Sequence, residues 1–202
     1  SVVNGDVSLR GGSQAHLSCN TINGVAAGLE LLGASGITYE VESLNDAPAG
    51  YWRLEEAAGS LQALDASGNG YDGLYGGDVT FGTVGALTNE NDAAVTFGGG
   101  EDRIDLDHTL LNGVNDLSVV FWLKTTRTGS QAVLSGAQEN NSREFLVYFD
   151  NDRRLSLYTG ENKDSYVSWN IDSIADDAWH MVAITRDGTH GKAELFIDGN
   201  TQ

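Results

Sequence analysis

The chain has 202 residues, 26 of them glycine and one proline, with 29 acidic against 11 basic residues and a net charge of −18. That balance excludes a nucleic-acid partner, because neutralising phosphate needs Lys and Arg clusters, and it opposes docking on anionic lipid. A hydrophobic fraction of 40% is enough for a core and excludes global disorder. The surplus acid fits either calcium ligation by oxygen or solubility outside the cell.

Residues 1–47 form a segment of their own, rich in Gly, Ser, Asn, Val and Leu, with Tyr39 as the only aromatic. Asn4-Gly5 and Asn23-Gly24 each precede a short alternating run, Val7-Ser8-Leu9 and Leu29-Glu30-Leu31. Two readings stand for these units: rungs of a small β-solenoid, or irregular strands and turns. Cys19 is the only cysteine, so no intrachain disulfide can form, and it reads as a small buried hydrophobe. Ile37 to Leu44 alternates and predicts one more strand. The stretch 45–50, NDAPAG, holds the single proline between differently composed segments and predicts a boundary, giving units 1–47 and 48–202.

Beyond it, Tyr51 to Glu56 predicts a short aromatic strand, and Leu64 to Gly73 a loop of small and oxygen-bearing residues. Strands are predicted at Ala93–Phe97, Arg103–Leu106, Leu117–Lys124, Ala132–Ser135, Glu144–Phe149, Arg154–Tyr158 and Tyr166–Ile171. Leu117–Lys124 is apolar on both faces, as a strand covered on both sides requires. Trp179–Arg186 shows the same character, and with Ala193–Ile197 across a Gly-bracketed tip it predicts a hairpin. Many short strands with turn signals between them predict an all-β antiparallel sandwich or jelly roll. No apolar run approaches the ~20 residues of a membrane helix. Ser1 does not look like a natural start, so the chain reads as a mature product or an excised fragment.

The succession YWRLEE, LDASGNGYDGLY, AAVTFGGGEDRIDL, LSVVFWLKTT and DDAWHMVAITRDG…AELFIDG resembles the laminin G-like members of the concanavalin A-like lectin/glucanase superfamily over about residues 50–202. The resemblance implies a jelly-roll sandwich, a non-catalytic recognition role outside the cell, and often a bound calcium. It also implies further strands after the final Asp-Gly, so the sandwich is expected either to lack its last strands or to be completed by another segment, such as Ile37–Leu44. The Gly/Asn-rich leader followed by such a domain also resembles surface proteins associated with mannose-sensitive haemagglutinin-type pili, which implies a secreted bacterial protein.

Enzymes that the resemblance brings to mind place two or three carboxylates on one strand as E-x-D-x-x-E, one to protonate the leaving oxygen and one to attack or activate water. No strand here carries that pattern. Glu55 and Glu56 are adjacent and point to opposite faces, while Glu144 and Asp150 share a face about 20 Å apart. Asp102, Asp105 and Asp107 surround a turn and read as solvated or metal-facing acids. His16, His108, His180 and His190 are scattered, and His180 reads as structural. No enzyme is expected.

Asp65, Asn69 and Asp72, with Gly68, Gly70 and Gly73, bring carboxylate, amide and backbone oxygen together, a mixture that suits calcium. An Asx-turn loop bonded to its own backbone is the alternative. If Glu144–Phe149, Arg154–Tyr158 and Tyr166–Ile171 are neighbours, alternation gathers Tyr148, Tyr158 and Tyr166 with Arg154 on one face. Aromatic faces with hydrogen-bonding neighbours suit sugar rings; ordinary cross-strand pairing on a solvated face is the alternative. Three roles are carried forward: an extracellular adhesion or carbohydrate-binding module, a structural or protein-interaction domain of a pilus or other surface assembly, and an ancillary domain of a polysaccharide-degrading enzyme.

Overall fold

The computed structural model describes residues 7–11, 38–87, 92–107, 109–111, 114–136, 144–160 and 166–202. In chain order the elements are β1 (Val7–Gly11), α1 (Tyr39–Asn45), β2 (Gly50–Trp52), β3 (Gln62–Ala63), β4 (Gly73–Gly76), β5 (Thr80–Val84), β6 (Ala93–Thr96) and β7 (Arg103–Asp105). They continue as β8 (Leu117–Lys124), β9 (Gln131–Ser135), β10 (Glu144–Asn151), β11 (Arg154–Gly160), β12 (Tyr166–Asn170), β13 (Trp179–Asp187), β14 (Lys192–Ile197) and β15 (Asn200–Thr201). The architecture is all-β and antiparallel apart from α1.

Two sheets dominate. One has six strands in the order β15-β14-β13-β8-β1-β2, the other four in the order β12-β11-β10-β9. Two smaller sheets have the orders β3-β4-β7 and β5-β6. Among the described residues every pairing is antiparallel and the sheets do not close into a barrel. A single core joins the two large sheets. It takes Val119 and Phe121 from β8, Val182 and Ile184 from β13, and Leu195 and Ile197 from β14, and meets Val147, Phe149, Leu155 and Leu157 from the four-stranded sheet. The register lines these up: Val119 sits opposite Ile184 and Phe121 opposite Val182, while Ile184 and Val182 face Leu195 and Ile197 on the other side. Trp52 reaches the same core, its indole N–H donating to the Tyr71 carbonyl at 2.9 Å. Removing side chains of this size from water stabilises by about 1.5–3 kcal/mol each.

Alternation puts Val120, Met181 and Ala183 on the opposite face of the six-stranded sheet, where they form a second, smaller buried cluster with Trp122 and Phe196 against it. The two-faced apolar character of β8 and β13 thus has its cause: each face is buried.

The structure corrects three expectations. The stretch expected as a strand at Ile37–Leu44 is helical over Tyr39–Asn45. Thr38 caps it with extended backbone and a side chain accepting from the Val41 N–H, and Glu40 and Glu42 stand in the first turn, where the helix dipole favours acid. A seven-residue run that alternates can satisfy either period, and the cap decides it. This segment therefore does not complete the sheet. β1 from the leader joins the sheet instead, inserted between β2 and β8, with Ser8 opposite both Tyr51 and Val120. No solenoid rung occurs among the described residues of the leader; the rest of that expectation, and Cys19, lie outside them. Finally, the aromatic strand stops at Trp52, because Leu54 takes φ +60 and breaks the extended run.

Candidate functional site

β10 and β11 are joined by a tight turn at Asp152 and Arg153, and β11 pairs in turn with β12. Their inward residues, Val147, Phe149, Leu155, Leu157, Val167 and Trp169, are apolar and belong to or pack on the core. This burial fixes the register, since a slip of one residue would turn the whole apolar set outward. It therefore also fixes what faces solvent. Tyr148 lies opposite Ser156, which lies opposite Ser168; Leu146 lies opposite Tyr158, which lies opposite Tyr166; Arg154 lies opposite Asn170.

The sequence-predicted residues Tyr148, Arg154, Tyr158 and Tyr166 are thus brought onto one outward face. Tyr158 and Tyr166 stack with ring centroids 5.2 Å apart and planes 23° from parallel. Tyr166 is 48% exposed. Burial first, and then the charge of Asp150, raise the Tyr158 phenol above its ordinary pKa, so it stays protonated and able to donate at neutral pH.

Beside the stack runs a closed circuit of hydrogen bonds. Arg154 Nε pairs with Asp150 Oδ2 at 3.2 Å, and Arg154 Nη2 donates to Ser168 Oγ at 3.3 Å. Ser156 Oγ donates to Asp150 Oδ2 at 2.7 Å and lies 2.7 Å from Ser168 Oγ. A hydroxyl has one proton, so with Ser156 donating to Asp150 the proton between the serines belongs to Ser168. Every bond then runs in one sense from the guanidinium to the carboxylate, an arrangement in which each bond polarises the next. Ser156 is fully buried although it faces outward, which makes it the floor of the circuit.

Alternation puts Asp150 on the same face as Tyr148, but its pairing with Arg154 is not legible in the sequence. The ladder shifts between Phe149 and Asn151, leaving Asp150 without a cross-strand partner at the bulge. Its side chain then reaches Arg154, four residues on across the turn. An acid and an arginine flanking a tight turn were the available signal; the bulge was not legible.

The loop at 64–73 is held together by Asp65. Its Oδ1 accepts from the backbone N–H groups of Tyr51 and Ser67, both at 2.9 Å; its Oδ2 accepts from Ser67 Oγ at 2.8 Å and the Tyr71 N–H at 3.0 Å. Burial alone would raise its pKa, but these donors outweigh burial and lower it. Asp72 accepts from the Asp65 N–H at 2.8 Å, and Asn69 turns its amide nitrogen to the carbonyls of Pro48 and Ala49, both at 3.1 Å. Gly68 and Gly70 take φ +83 and +80, values that admit glycine without strain. The acceptor sites of Asp65 are all taken by donors of the protein, which fits a self-bonded loop; a cation there would have to displace them. Among the described residues no group of three His, Cys, Asp or Glu side chains is arranged to hold a metal.

Several other acids are held by donors of the protein. Glu55 pairs with Arg53, which also reaches Glu40 on α1 at 2.5 Å, whereas Glu56 accepts from the Tyr75 hydroxyl at 2.6 Å and the Leu64 N–H at 2.9 Å. The two adjacent glutamates diverge. Asp102 accepts from the Asp78 and Gly98 N–H groups, both at 2.7 Å, Asp105 from Arg103, and Asp107 from Thr109. His180 bridges two carboxylates, Asp198 at 2.8 Å and Asp176 at 3.1 Å, and so ties β13 to the turn after β14.

A family model described as the concanavalin A-like lectin/glucanases superfamily matches residues 97–202, more than half of the chain. No curated protein and no solved structure matches it.

Proposed function

Because the chain belongs to the concanavalin A-like lectin/glucanases superfamily, we propose that it is an extracellular adhesion module that binds carbohydrate on the outward face of β10, β11 and β12. The reading is of a recognition module rather than a glucanase, since no strand carries an E-x-D-x-x-E run of carboxylates. The observation that carries the reading is the Tyr158–Tyr166 stack set beside the Arg154–Ser168–Ser156–Asp150 circuit. A sugar ring offers an apolar face to an aromatic surface and hydroxyl edges to paired donors and acceptors. Tyr148, opposite Ser156, extends the surface along the sheet.

The test is a titration of the isotope-labelled protein with a panel of oligosaccharides, followed by amide NMR shifts. Shifts should concentrate on residues 146–158 and 166–170, and Tyr158→Ala should weaken binding about two- to twelvefold, the ~0.5–1.5 kcal/mol expected of one aromatic contact. Equal binding by the wild type and the variant would sink this location.

Calcium dependence through Asp65, Asn69 and Asp72 is a separate proposal, testable by calorimetric titration with calcium, and it requires the loop's own donors to give way. A second reading, docking to a protein of a surface assembly such as a pilus, is favoured by exposed Leu61, Leu64 and Leu74 around the β3–β4 pair. Among the described residues no helix is long and apolar enough to cross a membrane.

A further inference from the structure

We infer that the ligand of this face is an uncharged sugar, held through neutral hydroxyl groups, and that carboxylated or sulfated glycans are excluded; the inference rests on the carbohydrate reading of the preceding subsection. Among the described residues of these three strands Arg154 is the one cation, and it is cancelled locally, since Asp150 lies 3.2 Å from its Nε. An anionic ligand would have to compete with that carboxylate for the guanidinium. It would do so in the field of a chain whose net charge is −18, and like charges brought together cost binding free energy.

A hydroxylated ring meets no such barrier. Among the described residues the guanidinium N–H groups beyond the two in the circuit carry no protein partner, and a guanidinium has donors but no acceptor. Asp150 accepts only. Side by side they suit a group that donates to one and accepts from the other, which a hydroxyl does and a carboxylate or sulfate does not. Both side chains reach solvent, Arg154 at 45% and Asp150 at 32% exposed, so a ligand can touch them without dismantling the circuit. The rotor freedom of Arg154 is already reduced by its two bonds, which lowers the ordering cost on binding. The Tyr158–Tyr166 stack supplies the apolar side of the recognition.

The experiment titrates the full chain with matched oligosaccharides, neutral, uronate-containing and sulfated, at low and at physiological salt, reading amide shifts and Kd. Neutral oligosaccharides should bind with a Kd that changes less than about twofold with salt, and the anionic ones at least tenfold more weakly. Asp150→Asn keeps the side-chain shape while uncovering the Arg154 charge, and should narrow or reverse that preference; Arg154→Lys, which loses the planar fork, should weaken the neutral ligand at least fivefold. Backbone spectra of both variants report whether the sheet is intact, and Ser156→Ala serves as a second variant should Asp150→Asn disturb it. Anionic glycans binding as tightly as neutral ones, or an Asp150→Asn protein with unchanged preference, overturns the charge inference alone. The absence of shifts on this face with every glycan overturns the carbohydrate reading and this inference together.

Discussion

His180 shows what one side chain in a strand end can do. Burial pulls its pKa down, but the hydrogen bonds it donates to Asp198 and Asp176 outweigh burial and raise it above the ordinary imidazole value of about 6.5. Both ring nitrogens face carboxylates, so the doubly protonated ring is the form the site prefers. Because the folded pKa is raised, the stabilisation is complete below pH 6.5 and is lost as pH rises through the folded value. An NMR titration of the His180 imidazole should give a midpoint above 6.5, and His180→Gln should flatten the fall in melting temperature across that range. A midpoint at or below 6.5 would refute the bridging role. Its two partners, four and eighteen residues away, come together only in the fold.

At the scale of elements, the hairpin of β13 and β14 carries the large sheet. Leu195 is fully buried opposite Ile184, and its truncation leaves a hole in the core between the two large sheets. Leu195→Ala should cost about 2–5 kcal/mol, whereas Val84→Ser, at a position 81% exposed on β5, should change stability by less than about 0.5 kcal/mol. Chemical denaturation of both variants checks the contrast. The hairpin was legible because both arms announce themselves: apolar residues on both faces and Gly at the tip. The segment 39–45 was not. Its alternation of Glu40, Glu42 and apolar neighbours mimics a strand, and the Thr38 cap is a three-dimensional feature of one hydroxyl and one N–H. β1 was read only as a short alternating run, since nothing local tells a strand which distant edge it will join; its neighbours are 40 and more than 100 residues away.

For the whole molecule, charge and pH act together. Burial raises Asp92 to a pKa of about 6, helped by its hydrogen bond to Glu55, and a proton shared by two carboxyl groups is lost as pH rises through that value. A raised acid contributes stability at low pH and loses it on ionising, so Asp92 and His180 both favour the acid side. Asp65, Asp176 and Asp187 are lowered and act in the other direction, losing their contribution as pH falls below about 4. Self-repulsion of 18 excess negative charges also eases as carboxylates protonate and as salt screens them. The melting temperature should therefore be highest between about pH 4 and 6, and at pH 8 it should rise with added sodium chloride. A scan of melting temperature against pH and salt that peaks above pH 7, or falls with salt at pH 8, contradicts this account.

What the sequence by itself determined is whatever short-range pattern can encode. Period-two alternation with glycine punctuation specified an antiparallel β protein, placed most of the strands from Ala93 onward, and put Tyr148, Tyr158, Tyr166 and Arg154 on one side of their strands. Tertiary structure alone decided what depends on pairing across long separations. It set β1 between β2 and β8, made 39–45 a helix, and turned the loop at Asp65 inward upon its own N–H donors. It also produced the bulge that frees Asp150 to meet Arg154 and close the circuit through Ser156 and Ser168. The physical reason is the same in each case: alternation says which side of a strand a residue occupies, but hydrogen bonds and ion pairs form between whichever groups the register of distant strands brings within about 3 Å.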